Sequence, residues 1–214
     1  MEKLYKSRMY EAVRALLDEL GANDAEFMLN DTDSSELNTI IDNVAITAVR
    51  NVHLNAPSWK IEGTQVEQDD FSVATTCDRA TVTLPEGYLR LVRARLSSWI
   101  VSATEATSED TSTYQMQSNA YMRGTPRRPV CAVIRRKGDL LLEMFSPEAI
   151  TDTLEEFEIL LEPEWGSDES EEYIEICRRL EDSVIYQITG LTLIALGEDQ
   201  RAQTFLSLSA NYSQ

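Results

Sequence analysis

The sequence predicts an α+β protein in which helices from both ends of the chain form one bundle, with a mostly antiparallel β unit inserted between them. Near both ends, apolar residues recur every three to four positions, which favours amphipathic helices. The middle instead has short runs of alternating apolar and polar residues bounded by Gly and Pro, which favours strands. We therefore assign residues 1–56 and 168–214 to the bundle and residues 57–167 to the β domain.

Two helices are predicted in the N-terminal part of the bundle. The first covers residues 3–20, because its apolar residues keep helical spacing up to Gly21, a residue that commonly ends a helix. The second covers about residues 35–54 and ends before Pro57, which cannot continue a helix. Each helix has an apolar face that requires a partner surface.

The predicted strands of the β domain are short and are separated by turn residues. They lie at residues 59–62, 71–75, 80–84, 89–101, 130–135, 140–145 and 154–161. The Lys137-Gly138-Asp139 sequence predicts a hairpin between two of them.

An extended loop is predicted at residues 102–129, where a long polar stretch interrupts the strand pattern. Compact domains seldom keep irregular loops of this length unless the loop has a use, and an arm that grips a neighbouring molecule is one such use. An ordinary mobile surface loop is the alternative.

The last third of the chain predicts a return to helix. Acidic residues at 167–172 stand where a helix dipole favours negative charge, and apolar residues then continue to Gly197, which predicts one helix of about 28 residues. Residues 184–196 are apolar on nearly every side, so this part must be enclosed by other helices or by a partner chain. A shorter helix is predicted at residues 198–209.

Charge is distributed unevenly along the chain. The protein has 37 acidic and 19 basic residues and a net charge of −18, yet residues 112–137 contain six basic residues and no acid. A basic segment on an acidic protein favours heterologous contacts, in which the positive part of one copy meets the negative part of the next. The strongly negative overall field disfavours ordinary tight binding of nucleic acid.

Catalytic and metal-binding patterns are not evident. His53 is the only histidine, and Cys77, Cys131 and Cys177 are far apart without a paired spacing, so we predict no zinc site, no disulfide framework, no cofactor and no enzymatic activity. Acidic residues at 155–175 could supply a hydrolase with paired carboxylates, but acids at this density usually form a solvated or partner-facing surface. No apolar run approaches the length of a membrane span, and we expect neither membrane association nor a signal peptide.

Two segments carry a resemblance to a known family. Residues 114–130 (YQMQSNAYMRGTPRRPV) and 188–199 (ITGLTLIALGED) resemble the head-to-tail connector ring proteins of crAss-like tailed bacteriophages. This resemblance implies a nonenzymatic virion protein, made in the cytoplasm of the host bacterium, that forms a ring of twelve copies. It implies a portal adaptor in the neck, in contact with the portal protein and with further neck or tail rings. Packaged DNA would pass through its channel during genome ejection without specific binding.

Seven residues of the basic segment are candidates for the subunit or portal interface: Tyr114, Met116, Tyr121, Met122, Arg123, Arg127 and Arg128. Aromatic, methionine and arginine side chains are typical of binding hot spots, and Pro126 and Pro129 stiffen the segment. We expect the segment to be mobile in the free protein and to bind carboxylates such as those of residues 155–175. The alternatives are another neck or tail ring of the same particle, a basic-arm nucleic-acid-binding module, and a virion hydrolase.

Overall fold

The computed structural model describes residues 1–21, 31–66, 71–168 and 171–214, and side chains at 18–21 and 31–34 are not described. Residues 169 and 170, within the predicted start of the long C-terminal helix, lie outside the described residues.

The fold is a mixture of α-helices and mainly antiparallel strands. The helices are α1 (Lys6–Gly21), α2 (Asp31–Asn55), α3 (Ser112–Met116), α4 (Glu181–Ala195) and α5 (Asp199–Ser213), with 3-10 turns at Ser58–Lys60 and Arg178–Leu180. The strands are β1 (Glu2–Tyr5), β2 (Thr64–Gln65), β3 (Ser72–Val73), β4 (Arg79–Thr83), β5 (Tyr88–Leu96), β6 (Ala106–Ser108), β7 (Cys131–Arg136), β8 (Asp139–Phe145), β9 (Leu154–Leu161), β10 (Trp165–Ser167) and β11 (Glu172–Ile176).

The chain divides into two compact units. The first contains Met1–Ile61 and Pro163–Gln214, and the second contains Glu62–Glu162. The first unit has α1, α2, α4 and α5 together with a three-stranded sheet in the order β1-β11-β10. The second unit has a three-stranded sheet in the order β2-β9-β5 and a five-stranded sheet in the order β3-β4-β8-β7-β6, as well as α3.

Helix α4 is the centre of the first unit. It contacts α1, α2 and α5, and this enclosure explains why its sequence is apolar on nearly every side. It ends at Gly197, whose φ of +84° suits a glycine, and the Glu198 N–H bonds to the Leu193 carbonyl at 2.9 Å. Helix α4 thus contacts both N-terminal helices as well as α5.

Small residues bring α4 and α5 close together. The Ser183 hydroxyl donates to the Ser209 carbonyl, and the Ser209 hydroxyl donates to the Ser183 carbonyl, each at 2.8 Å. Two turns further along α4, a Cβ added to Gly190 would lie only 2.8 Å from Leu206 Cδ2. The two buried serines and this glycine thus fix a tight helical hairpin.

The predicted C-terminal helix of about 28 residues is wrong. Its first part is β11, which pairs with β1 on one side and β10 on the other, and α4 begins only at Glu181. Ile174 and Ile176 are buried while Glu175 between them is exposed, so this part follows the two-residue period of a strand. The first unit therefore contains a sheet as well as helices.

The second unit has its main core between its two sheets. Leu91, Phe157 and Ile159 from the smaller sheet and Leu142 and Met144 from the larger sheet belong to one buried cluster. The predicted hairpin is confirmed: β7 pairs with β8 in an antiparallel register, and Arg136 lies opposite Asp139. Both turn residues have positive φ, +53° at Lys137 and +104° at Gly138, as a two-residue type I′ turn requires.

Two other predicted strands are corrected. Residues 58–60 form a 3-10 turn instead of a strand, and the predicted strand at 89–101 ends as β5 at Leu96. After Leu96 the chain turns, with Trp99 buried and Ile100 and Val101 exposed.

The predicted extended loop at 102–129 is also corrected. It contains β6, which pairs with β7 in parallel, and the short helix α3. The Thr111 hydroxyl caps α3 by accepting a hydrogen bond from the Tyr114 N–H at 3.3 Å. The three residues of β6 and the five of α3 are therefore regular structure within this stretch, and β6 forms the edge of the larger sheet.

Candidate functional site

The seven predicted interface residues lie on α3 and on the loop that joins it to β7, which we call the basic loop (residues 117–130). Gln117 organises this loop from inside, since it is only 4% exposed. Its Oε1 accepts from the Gly124 N–H at 2.8 Å, and its Nε2 donates to the Thr113 carbonyl at 2.8 Å. The Arg123 Nε donates to the Gln117 carbonyl at 2.9 Å, which closes the loop on itself.

A buried carboxylate attaches α3 to the larger sheet. Glu143 on β8 is fully buried and accepts hydrogen bonds from Arg136 at 2.8 Å, Tyr114 at 3.0 Å and Arg79 at 3.2 Å. The Tyr114 ring also packs edge-on against Phe145, with centroids 5.9 Å apart. Burial, and after it the Glu143 carboxylate, raises the pKa of Tyr114 above its ordinary value. The outer face of the sheet is thus covered by α3.

The far end of the basic loop is fixed by backbone hydrogen bonds. Thr125 and Arg128 exchange two N–H to carbonyl bonds of 3.1 and 2.8 Å, and the Pro126 carbonyl accepts from the Ile100 N–H at 2.9 Å. The Ser146 hydroxyl donates to the Gly124 carbonyl at 2.6 Å. The segment expected to be a free arm is instead folded back onto its own domain.

The structure separates the seven candidates into two groups. Tyr114 and Arg123 are partly buried and hold the loop in place. The other five side chains face solvent: Met116 (42% exposed), Tyr121 (98%), Met122 (54%), Arg127 and Arg128. Within the described parts of the chain, Arg127 and Arg128 form no ion pair. The basic loop therefore presents two uncompensated charges beside exposed apolar side chains.

Sequence reasoning missed two neighbours of this surface. Ile100 and Val101 are 66% and 50% exposed, and the backbone of Ile100 is bonded to Pro126 of the basic loop. The sequence pattern assigns both residues to the predicted strand at 89–101. The Ser97-Ser98 pair just before them is the sequence feature that could have predicted the end of that strand.

Four of the carboxylates expected to bind the basic loop have partners within the chain. Arg95 on β5 contacts Glu155 at 2.9 Å and Glu156 at 2.8 Å. In the first unit, Lys3 contacts Asp168 at 2.9 Å, and a second lysine, Lys6, contacts Glu172 at 2.6 Å. These acids are therefore balanced by local bases.

The Glu156 cluster predicts an acid-sensitive contribution to stability. A hydrogen bond from Ser102, and then the Arg95 guanidinium, hold the pKa of Glu156 below its ordinary value of 4.5. The folded state therefore gains stability that is fully present above pH 4.5 and is lost as the pH falls through the lower pKa of the folded protein. We expect Glu156→Gln to flatten the fall in melting temperature below pH 4.5, and Glu148→Gln, at an exposed position, to leave it unchanged.

Among the described residues, no cluster of three or more His, Cys, Asp or Glu side chains is placed to hold a metal ion. His53 is buried, and its Nε2 accepts a hydrogen bond from the N–H of Cys177, the residue after β11, at 3.4 Å. Burial raises the pKa of Cys131, which keeps this thiol protonated. None of the helices described has the length and apolar character needed to cross a membrane.

No protein-family model and no curated protein matches this chain.

Proposed function

We propose that this protein is a nonenzymatic structural component of a bacteriophage virion neck, a ring-forming head-to-tail adaptor that docks on the portal and lines the DNA channel. In this proposal the helices from both ends of the chain form one bundle, and the β unit is an insertion that carries the basic loop. Twelve copies form the ring, which also contacts further neck or tail rings.

The observation that carries the proposal is the fixed, exposed surface of the basic loop. Binding is weakened by the entropy lost when mobile side chains and loops become ordered, and the hydrogen bonds of Gln117 and Glu143 have already ordered this loop. Tyr121, Met122 and the two unpaired arginines have the composition of a protein-binding hot spot. A preformed surface of this kind suits a structural contact.

The direct test uses the purified protein and a portal protein of a crAss-like phage. We expect electron microscopy of the mixture to show a ring with the portal's symmetry, seated on one end of the portal. A mixture in which the protein stays monomeric and does not bind the portal would refute the adaptor assignment.

Charge reversal on the basic loop should weaken assembly in a salt-dependent way. Changing Arg127 and Arg128 to Glu should raise the dissociation constant about tenfold at low salt and less at high salt, because exposed ion pairs contribute only about 0 to 1 kcal/mol each and are screened. The control changes another adjacent exposed pair to Glu, Arg178 and Arg179, which contact Glu2 and the Trp59 carbonyl within the first unit. Sedimentation at two salt concentrations measures the dissociation constants of both variants. An equal loss in the two variants would show a general charge effect instead of a specific contact.

A nucleic-acid-binding module is the second candidate, favoured by the same unpaired arginines. Affinity for DNA would fall steeply as salt rises, since bound phosphates release counterions. A DNA mobility-shift assay at low and high salt distinguishes the two functions. A shift at low salt that Arg127→Glu abolishes, without any ring on the portal, would favour the nucleic-acid module.

A further inference from the structure

An isolated backbone bridge connects β5 of the smaller sheet with the residues just before β6 of the larger sheet. Ala94 at β5 and Ala103 before β6 exchange N–H to carbonyl bonds of 2.9 and 2.8 Å. Beyond this bridge the two edges separate, because β6 turns away to pair with β7. A cleft of about 470 Å³ remains between residues 88–91 and residues 105–109, which we call the seam cleft.

The seam cleft is lined by both apolar and polar groups. Half-buried Ala106, Val133 and Leu140 contribute apolar surface, which we call its floor. Its walls are the edges of β5 and β6, where each strand has a neighbour on one side only. Edge strands present backbone N–H and carbonyl groups to incoming partners. An aromatic side chain with a polar end, such as tyrosine, matches both the floor and the walls.

The charge of the cleft also restricts its occupant. Arg90 and Arg135 balance Glu105 and Glu109 around it, so it is neutral on a molecule of net charge −18. Glu105 and Glu109, both on the β6 side, are exposed and form no ion pair with the described residues. The cleft therefore avoids the repulsion that two copies of this acidic chain otherwise experience, and it offers carboxylates to a partner that carries unpaired cations.

The same chain carries a projection with these properties. Residues 111–122 contain no charged side chain, and Tyr121 near their end is 98% exposed, so it does not occupy the cleft of its own molecule. Arg127 and Arg128 follow it in the same loop and are unpaired in the described structure. A neutral aromatic side chain followed by two cations complements a cleft of zero net charge whose two carboxylates, Glu105 and Glu109, both lie on the β6 side.

We infer that Tyr121 of one copy inserts into the seam cleft of a second copy, with its ring on the apolar floor and its hydroxyl at the strand edges. This contact rests on the proposed ring, for which it supplies the receptor surface. It joins two different surfaces of the same domain, so it is a heterologous contact, and repetition of such a contact closes a ring when the rotation between copies permits.

Cysteine cross-linking tests the contact directly. In a Cys77→Ser background, copies with Ala120→Cys, at the exposed position next to Tyr121, are mixed with copies of different tag length that carry Ser108→Cys, at the exposed end of β6. Oxidised glutathione is the oxidant. The matched control replaces Ser108→Cys with Thr83→Cys, an exposed position on β4 that is outside the cleft. We expect the mixed disulfide dimer to form about tenfold faster in the first mixture.

The outcomes separate this inference from the proposed function. Equal rates in both mixtures would overturn the inference, and a ring that still forms on the portal would then leave the adaptor function intact. A fast cross-link without any ring on the portal would support the contact and contradict the adaptor function. As a second measurement, Tyr121→Ala should raise the dissociation constant for self-association at least about tenfold at every salt concentration. An unchanged constant for this folded variant would also overturn the inference.

Discussion

Glu143→Ala is expected to destabilise the β unit by about 3 kcal/mol, because it leaves two guanidinium groups and a phenol without their common acceptor. The value lies at the lower end of the range for a broken buried ion pair, since the side chains of Arg79 and Arg136 are 36% and 53% exposed and partly screened by water. Chemical unfolding followed by circular dichroism measures this loss.

The same substitution should also release α3 and the basic loop. Trypsin should then cut after Arg123 and Arg127 much faster than in the original protein, before the β unit as a whole unfolds. Glu148→Ala, at an exposed position after the same strand, is the control and should change stability by less than about 0.5 kcal/mol. Unchanged trypsin sensitivity in Glu143→Ala would show that the loop is held without this carboxylate.

Ile188→Asp should unfold the first unit. Ile188 is fully buried on α4, the helix that contacts α1, α2 and α5, and an unpaired carboxylate there should reduce the free energy of unfolding by on the order of 5 kcal/mol. Loss of helical circular dichroism at room temperature measures the effect. This position is a sharper test than the half-buried Ile185 or Leu191.

Ile194→Asp provides the matched control for this experiment. The chemical change is the same and the helix is the same, but Ile194 is 43% exposed, so the introduced carboxylate can stay hydrated. We expect a loss of about 1 kcal/mol. Equal damage from both substitutions would mean that α4 is not enclosed as described.

The helices were largely predictable because their apolar spacing is continuous. Residues 3–20, 35–54 and 198–209 correspond to α1, α2 and α5 with shifts of a few residues at their ends. The error in the long C-terminal helix has a physical cause. Ile176, Leu180 and Val184 recur every four residues and therefore fit a helix. Ile174, Glu175 and Ile176 also fit the alternation of a strand, and the strand forms because β11 pairs with β1, which is far away in sequence.

The exposed surface of the basic loop was predicted only in part. Residue type identified exposed Tyr121, Arg127 and Arg128, but it could not show that Tyr114 faces inward, since this depends on the position of Glu143. The single acid within the apolar run LLLEMF was the available indication of a buried carboxylate. Gln117 gave no such indication, because an amide that bonds the backbone of its own loop looks like any polar residue in a sequence.

The division of the chain also sets an order of folding during synthesis. The β unit is continuous, Glu62–Glu162, so all of its partners are available once its last strand leaves the ribosome. The first unit must wait, because β1 pairs with β11 across about 170 residues and α4 follows later still. Until then the apolar faces of α1 and α2 are exposed. The nascent chain therefore holds α1 and α2 without their partner α4 for most of its synthesis.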